Sequence, residues 1–288
     1  MKKIFAIAMT AVMMAAMLTG CGKEETGAGS GKGVKVVEVE LTSEEYAFGV
    51  DKTQPELLES VNTFIKEIQE NGTFDEICNK YFGDGTPEVV TSATYDESKD
   101  QLVVATNAAF EPFEYTAGEN NTYYGIDMEI AAALAEYLGK ELVIQNMDFD
   151  AVCLSVGQQK CDIAMAGLTI KPDREEYVNF SDSYYSASQK LITLASDTEF
   201  DACADAAAVE AILNQKDSSV KIGVQTGTTG QFYVEGDADW GFDGFGVTAV
   251  GYKNGSLAVQ DLINGNLQYV IIDSAPAACI TEAINQMQ

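Results

Sequence analysis

The chain has 288 residues, with 45 Asp plus Glu against 17 Lys plus Arg, six Cys, one Trp and no His, for a formal charge of −28. The lack of histidine excludes a Ser-His-Asp triad, an imidazole base and a His-ligated metal. So acidic a chain would repel a phosphate backbone, so no nucleic-acid partner is expected. The 46% hydrophobic content supplies a substantial interior for one large domain or two lobes.

In chain order, Lys2 and Lys3 precede an apolar run over 4–18 that reads as a secretory leader, residues 1–20, and is short for a membrane span. The run closes on Leu18-Thr19-Gly20-Cys21, which looks like the lipobox of bacterial lipoproteins. That reading predicts cleavage before Cys21, lipidation of its thiol and stable anchoring to the membrane by acyl chains. An ordinary leader that happens to contain a cysteine is the alternative. Five glycines between 22 and 33 make residues 21–33 a flexible lipidated tether. No later stretch is apolar enough to span a bilayer, so a tethered extracytoplasmic protein is expected. Cys78, Cys153, Cys161, Cys203 and Cys279 form no CxxC pair and read as reduced, buried small hydrophobes, with one or two disulfides as the alternative.

The body alternates. β-rich runs at 34–39, 102–106, 142–144, 163–166, 221–224 and 267–272 are separated by helical patterns such as 127–138 and 256–263. This argues for parallel sheets covered by helices. The best-marked helix runs over 55–70, with Leu57, Leu58, Val61, Phe64, Ile65 and Ile68 on one face, Thr53 as a cap and Asn71-Gly72 as the stop. Thr73 and Glu76 offer a capping box for a shorter helix ending near Phe82-Gly83. Residues 84–100 read as a polar surface linker. The loop 235–246 carries Asp237, Asp239 and Asp243 but lacks the EF-hand pattern, and reads as solvated.

Arg174 is the single arginine of the chain. A planar fork grips a carboxylate bidentately, which lysine cannot do. In Gly167-Leu-Thr-Ile-Lys-Pro-Asp-Arg174, which follows a predicted buried strand, it shares a strand end with a bare backbone carbonyl and a hydroxyl. Open α/β sheets bind ligands at such ends. Taken alone, a surface ion pair would explain Arg174, core packing would explain Phe110 and Phe149, and a helix cap would explain Asp273.

Several linked motifs resemble the extracytoplasmic solute-binding proteins of ABC transporters for polar amino acids. They are Leu102 through Thr106-Asn-Ala-Ala-Phe-Glu-Pro-Phe-Glu-Tyr115, Tyr124-Gly-Ile-Asp-Met-Glu-Ile130, Met147-Asp-Phe-Asp150, Ala166 through Arg174, Phe180-Ser-Asp-Ser-Tyr-Tyr185, Gly223-Val-Gln-Thr-Gly-Thr-Thr-Gly230 and Val270-Ile-Ile-Asp-Ser274. The resemblance implies an α/β fold of two lobes, each a mainly parallel sheet flanked by helices, joined by two crossover strands near 41–49 and 185–193, like type II periplasmic binding proteins. The family's usual last block stands first here, from Val34 to Tyr81-Phe-Gly83, so the order looks circularly permuted. The implied division is the last strand of lobe two at 34–40, lobe one at 41–188 with the linker 84–100, and lobe two at 189–288. A swapped dimer and a rearranged, non-functional gene are the alternatives to an intramolecular permutant.

By motif match, Arg174 should fork onto a ligand carboxylate with help from the Thr169 N–H and from Thr228 and Thr229. Asp273 should take the ammonium with the Gly167 carbonyl and the Thr169 hydroxyl. Phe110 and Phe149 should line the ligand's stem. Asn107 stands where members that bind cationic side chains commonly carry Asp, and Gln225 is also neutral, so a small neutral polar amino acid is expected. The implied partners are that ligand, a membrane permease and the bilayer through Cys21, with the protein a monomer lacking a cofactor. A secreted enzyme such as a cyclohexadienyl dehydratase is the rival on the same fold.

Overall fold

The computed structural model describes residues 33–116 and 121–287. The leader, Cys21 and the tether up to residue 32 lie outside the described residues. Lys32–Gln288 is one compact unit, built on two five-stranded mixed sheets.

The first sheet runs in the order Val178–Phe180, Gly49–Asp51, Ile163–Ala164, Gln101–Thr106, Glu141–Asn146. Its last three strands are parallel, and Gly49–Asp51 lies antiparallel to both neighbours. Every residue of Gln101–Thr106 is buried. This is what helices on both faces of a parallel sheet produce, and it explains a strand without polar alternation. The second sheet runs Val34–Val36, Gln189–Leu194, Tyr269–Asp273, Lys221–Gln225, Thr248–Tyr252, with the last three parallel. Gln189–Leu194 is antiparallel to both Val34–Val36 and Tyr269–Asp273. Between the lobes, Glu44–Tyr46 and Tyr185–Ala187 pair as an antiparallel ribbon, so the chain crosses twice side by side.

The helix Pro55–Asn71 buries Val61, Phe64, Ile65 and Ile68, as its pattern predicts, and ends at Gly72 in the left-handed conformation, φ 87°. Its cap differs from expectation. Asp51 takes both the N–H and the hydroxyl of Thr53, at 2.8 and 3.0 Å, so Thr53 is spent on the preceding turn and Gln54 occupies the cap position. The capping box at Thr73 is also absent. The helix Thr73–Phe82 starts directly from Gly72, and Asn71 Oδ1 accepts the Thr73 N–H at 2.9 Å.

The linker is stitched to lobe one rather than lying free. Val90–Thr91 pairs with Thr122–Tyr124, Val90 is buried, and Ser92 Oγ accepts the Ile144 N–H at 2.8 Å. Two residues are too few to show a period, which is why composition alone suggested a loop. The loop 235–246 also departs from the solvated reading, because Asp237 pairs with the buried Lys171 at 2.8 Å. The five cysteines among the described residues are free thiols. Cys153 and Cys161 are buried, and the other three are half-buried.

Candidate functional site

The lobe-one wall begins where Ile163–Ala164 ends. Gly167 takes φ 51°, and a Cβ there would stand 2.9 Å from the Phe110 ring, so only glycine fits both the turn and the neighbour. Its N–H donates to Asp127 Oδ2 at 2.9 Å, and Tyr184 donates its hydroxyl to Asp127 Oδ1 at 2.7 Å. Burial pushes the Asp127 carboxyl up to about 7, although both hydrogen bonds pull the other way. Thr169 donates its hydroxyl to Glu44 Oε2 at 2.9 Å.

Arg174 opens the short 3₁₀ turn Arg174–Glu176 and is only 7% exposed. A surface ion pair would leave it in water, so that reading fails. Its Nη1 donates to the Thr169 carbonyl at 2.6 Å, and its guanidinium lies 5.3 Å from the centre of the Phe149 ring. Its Nη2 reaches the other lobe, donating to the Gly227 carbonyl at 3.1 Å.

Asp273 ends the strand Tyr269–Asp273 and makes no capping bond to the helix Ser274–Gln286 that follows. It is buried and accepts the Tyr46 hydroxyl at 2.6 Å. Burial first, and then the charge of Glu44, push its carboxyl up to about 7. Gln189 donates to Glu44 Oε1 at 3.1 Å, which fixes that second acid between the crossover strands.

Gln225 stands at the end of Lys221–Gln225. Its Nε2 donates to Asn107 Oδ1 at 3.0 Å, while Asn107 Nδ2 donates to the Met147 carbonyl at 2.6 Å. Its Oε1 is buried with no hydrogen-bond partner among the described residues. Thr228 donates its hydroxyl to the Gln225 carbonyl at 2.8 Å, and the Thr229 hydroxyl lies 3.3 Å from that of Thr169, across the lobes.

One interlobe cavity is lined by Phe110, Phe149, Gly167, Thr169, Arg174, Gln225, Thr228, Thr229 and Asp273. These are all the residues singled out for a ligand except Asn107, which does not line the cavity and is joined to it through its hydrogen bond from Gln225. Cys21 lies outside the described residues. Asp127, Glu44, Tyr46 and Gln189 support this cavity and were missed. Asp127 carried a signal, an acid among apolar residues at the start of a helix. Glu44 and Tyr46 carried none, because their partners lie 125 and 227 residues away.

The chemistry is that of two poles. A guanidinium on one wall faces a buried carboxylate on the other, and both are closed off from bulk water. The model of the bacterial extracellular solute-binding proteins, family 3, matches residues 102–277, well over half of the 288. The chain belongs to that family.

Among curated relatives of this family 3 chain, the arginine-binding extracellular protein ArtP of Bacillus subtilis (strain 168) is 36% identical over 98 residues, 34% of this chain and 38% of the relative. The ABC transporter arginine-binding protein 1 of Escherichia coli (strain K12) is 29% identical over 188 residues, 65% of this chain and 69% of the relative. A cyclohexadienyl dehydratase of Pseudomonas aeruginosa is 34% identical over 96 residues, 33% of this chain and 35% of the relative. The chain thus spans between about a third and two thirds of the lengths of these three relatives. Of solved structures, holo ArgBP from T. maritima superposes with a TM-score of 0.51 at 29% identity, over 65% of this chain and 75% of that one. An ancestral amino acid-binding protein, a precursor of cyclohexadienyl dehydratase, gives 0.51 at 25% identity over 73% and 78%. The fold is therefore the two-lobed α/β architecture of type II periplasmic amino acid-binding proteins.

Proposed function

We propose that this protein captures one α-amino acid between its lobes, at the membrane surface outside the cytoplasm, and delivers it to an ABC permease. The observation that carries the reading is that Arg174 and Asp273, both buried, line one cavity from opposite walls. A zwitterion entering such a site loses water at both ends and needs a partner for each. Arg174 exchanges its carbonyl partners for the ligand carboxylate, with Thr228 and Thr229 opposite. Asp273, the Gly167 carbonyl and Thr169 receive the ammonium. Neither lobe satisfies both ends, so ligand favours closure. Lipid anchoring at Cys21 belongs to the same proposal and rests on the Leu18-Thr19-Gly20-Cys21 motif.

For the side chain, the relatives named for arginine point one way and the site points another. Asn107 and Gln225 form a neutral amide pair, and Gln225 Oε1 is a buried acceptor without a donor among the described residues. An amino acid whose neutral side chain offers an N–H or O–H satisfies that acceptor without adding a charge. A thermal-shift screen against the common amino acids tests this. Glutamine, asparagine, serine or threonine should raise the melting temperature most, since a ligand at a hundredfold its dissociation constant adds about 2.7 kcal/mol. A strongest shift with arginine or lysine would overturn the side-chain reading, and no shift with any amino acid would overturn the function.

The permuted chain order is also proposed. Val34–Val36 completes the lobe-two sheet while the family match begins only at 102, which supports a displaced block at 34–83. A second reading, an enzyme resembling cyclohexadienyl dehydratase, is favoured by the relative of that name and by a buried Asp273 poised near neutrality. Product formation from prephenate or arogenate would select it.

A further inference from the structure

Lys171 is 2% exposed, while most other basic groups among the described residues reach water. A lysine this deep survives only when paired. Its Nζ lies 2.8 Å from Asp237 Oδ2 and 3.1 Å from Asp173 Oδ2, and 4.2 Å from the centre of the Phe232 ring. Asp173 belongs to lobe one, as Lys171 does. Asp237 and Phe232 belong to lobe two, so opening the cleft would remove two of the three partners.

Asp237 is equally committed. Its Oδ1 accepts the N–H groups of Asp239 and Trp240 at 3.0 and 3.3 Å, and its backbone pairs with Phe242 in both directions at 2.9 Å. Phe242 packs edge-on against Tyr233 at 5.2 Å, which ties the loop to the helix Thr229–Glu235. This ordered loop carries Trp240 and Phe242 across the gap, where they line a cavity with Glu44, Glu45, Thr169 and Ile170 of the other side. A second ion pair between the lobes, Lys253 with Asp148 at 3.1 Å, has 74% and 62% of its side chains in water and contributes little.

We propose that the loop 236–245 is a clasp on the closed cleft, and that the Lys171–Asp237 pair, rather than ligand contacts alone, sets how long the lobes stay shut. The clasp acts by differential stability. The pair forms only when the lobes meet, where it is largely shielded from water, so removing it shifts the population towards the open form and lets ligand escape sooner. The inference rests on the proposed capture between lobes only for its effect on ligand. Its effect on the ligand-free protein is independent of that reading.

The test uses the full chain and its single Trp, Trp240. Asp237→Asn and the double variant Lys171→Met/Asp237→Leu are compared with wild type. The double variant leaves no stranded buried charge, so it remains informative should the single variant fail to fold. Without ligand, acrylamide should quench Trp240 at least twofold more strongly in both variants, with a larger radius of gyration in solution scattering. With L-glutamine as the probe, dissociation followed by Trp240 fluorescence should be about tenfold faster. Wild-type quenching and scattering in the double variant would overturn the clasp. Wild type that ignores L-glutamine while the variants still open would overturn the glutamine-like ligand and leave the clasp standing.

Discussion

The two walls of the cleft hold their charged groups by different means. On lobe one, Arg174 is held by the Thr169 carbonyl of its own lobe, with the Gly227 carbonyl added from the other, and Gly167 is fixed by Asp127 and Tyr184. On lobe two, Asp273 depends on Tyr46 from a crossover strand, and the nearby Glu44 opposes its ionisation. Under the proposed capture of an amino acid, lobe one would meet the ligand carboxylate with a guanidinium already held, and lobe two would offer Asp273 to the ammonium only once the crossover strand is in place.

The sharpest way to break this asymmetry is Arg174→Ala. It should cost about 2–5 kcal/mol of affinity, because the ligand carboxylate would be buried without a partner. Arg174→Lys should recover only part of it. Calorimetry with the amino acid that gives the largest thermal shift reads both, and wild-type affinity in either would show that the guanidinium does not hold the ligand.

Next in size is a pH effect that separates the walls. Asp127 and Asp273 both rise to about 7 in the folded chain, from an ordinary value near 4. Raised carboxyls hold protons that the unfolded chain gives up, so their stabilisation is complete below about pH 4 and is lost as pH rises through 7. The ligand-free protein should melt at progressively lower temperature across that window. Saturating ligand should remove the part due to Asp273, which gains an ammonium partner, and leave the part due to Asp127. Equal slopes with and without ligand in melting curves taken from pH 4 to 7 would contradict this division.

The smallest effect concerns the rigid wall itself. Gly167→Ala should cost about 1–3 kcal/mol of stability, from a left-handed backbone and contact with Phe110. Chemical denaturation measures it, and an unchanged midpoint would mean that the turn relaxes freely.

Much of this arrangement was legible in the residues. A lone arginine beside a glycine and a threonine marked the lobe-one wall, and the motif order led to Asp273 and Gln225. What stayed hidden was non-local. Tyr46 meets Asp273 only because the chain crosses between lobes, and Lys171 reads as an ordinary surface lysine until Asp237 arrives from the other side. Local chemistry misled at Thr53, where an acid two residues earlier outcompeted the helix for its hydroxyl. Val90–Thr91 escaped because a strand of two residues has no pattern of its own.

Asn285 binds the backbone of Val34 twice, accepting its N–H at 3.1 Å and donating to its carbonyl at 2.9 Å. Positions at opposite extremes of the described polypeptide are thus immediate neighbours. A few added glycines could splice them, and a new opening cut between 84 and 89 would give the same body read from another starting point.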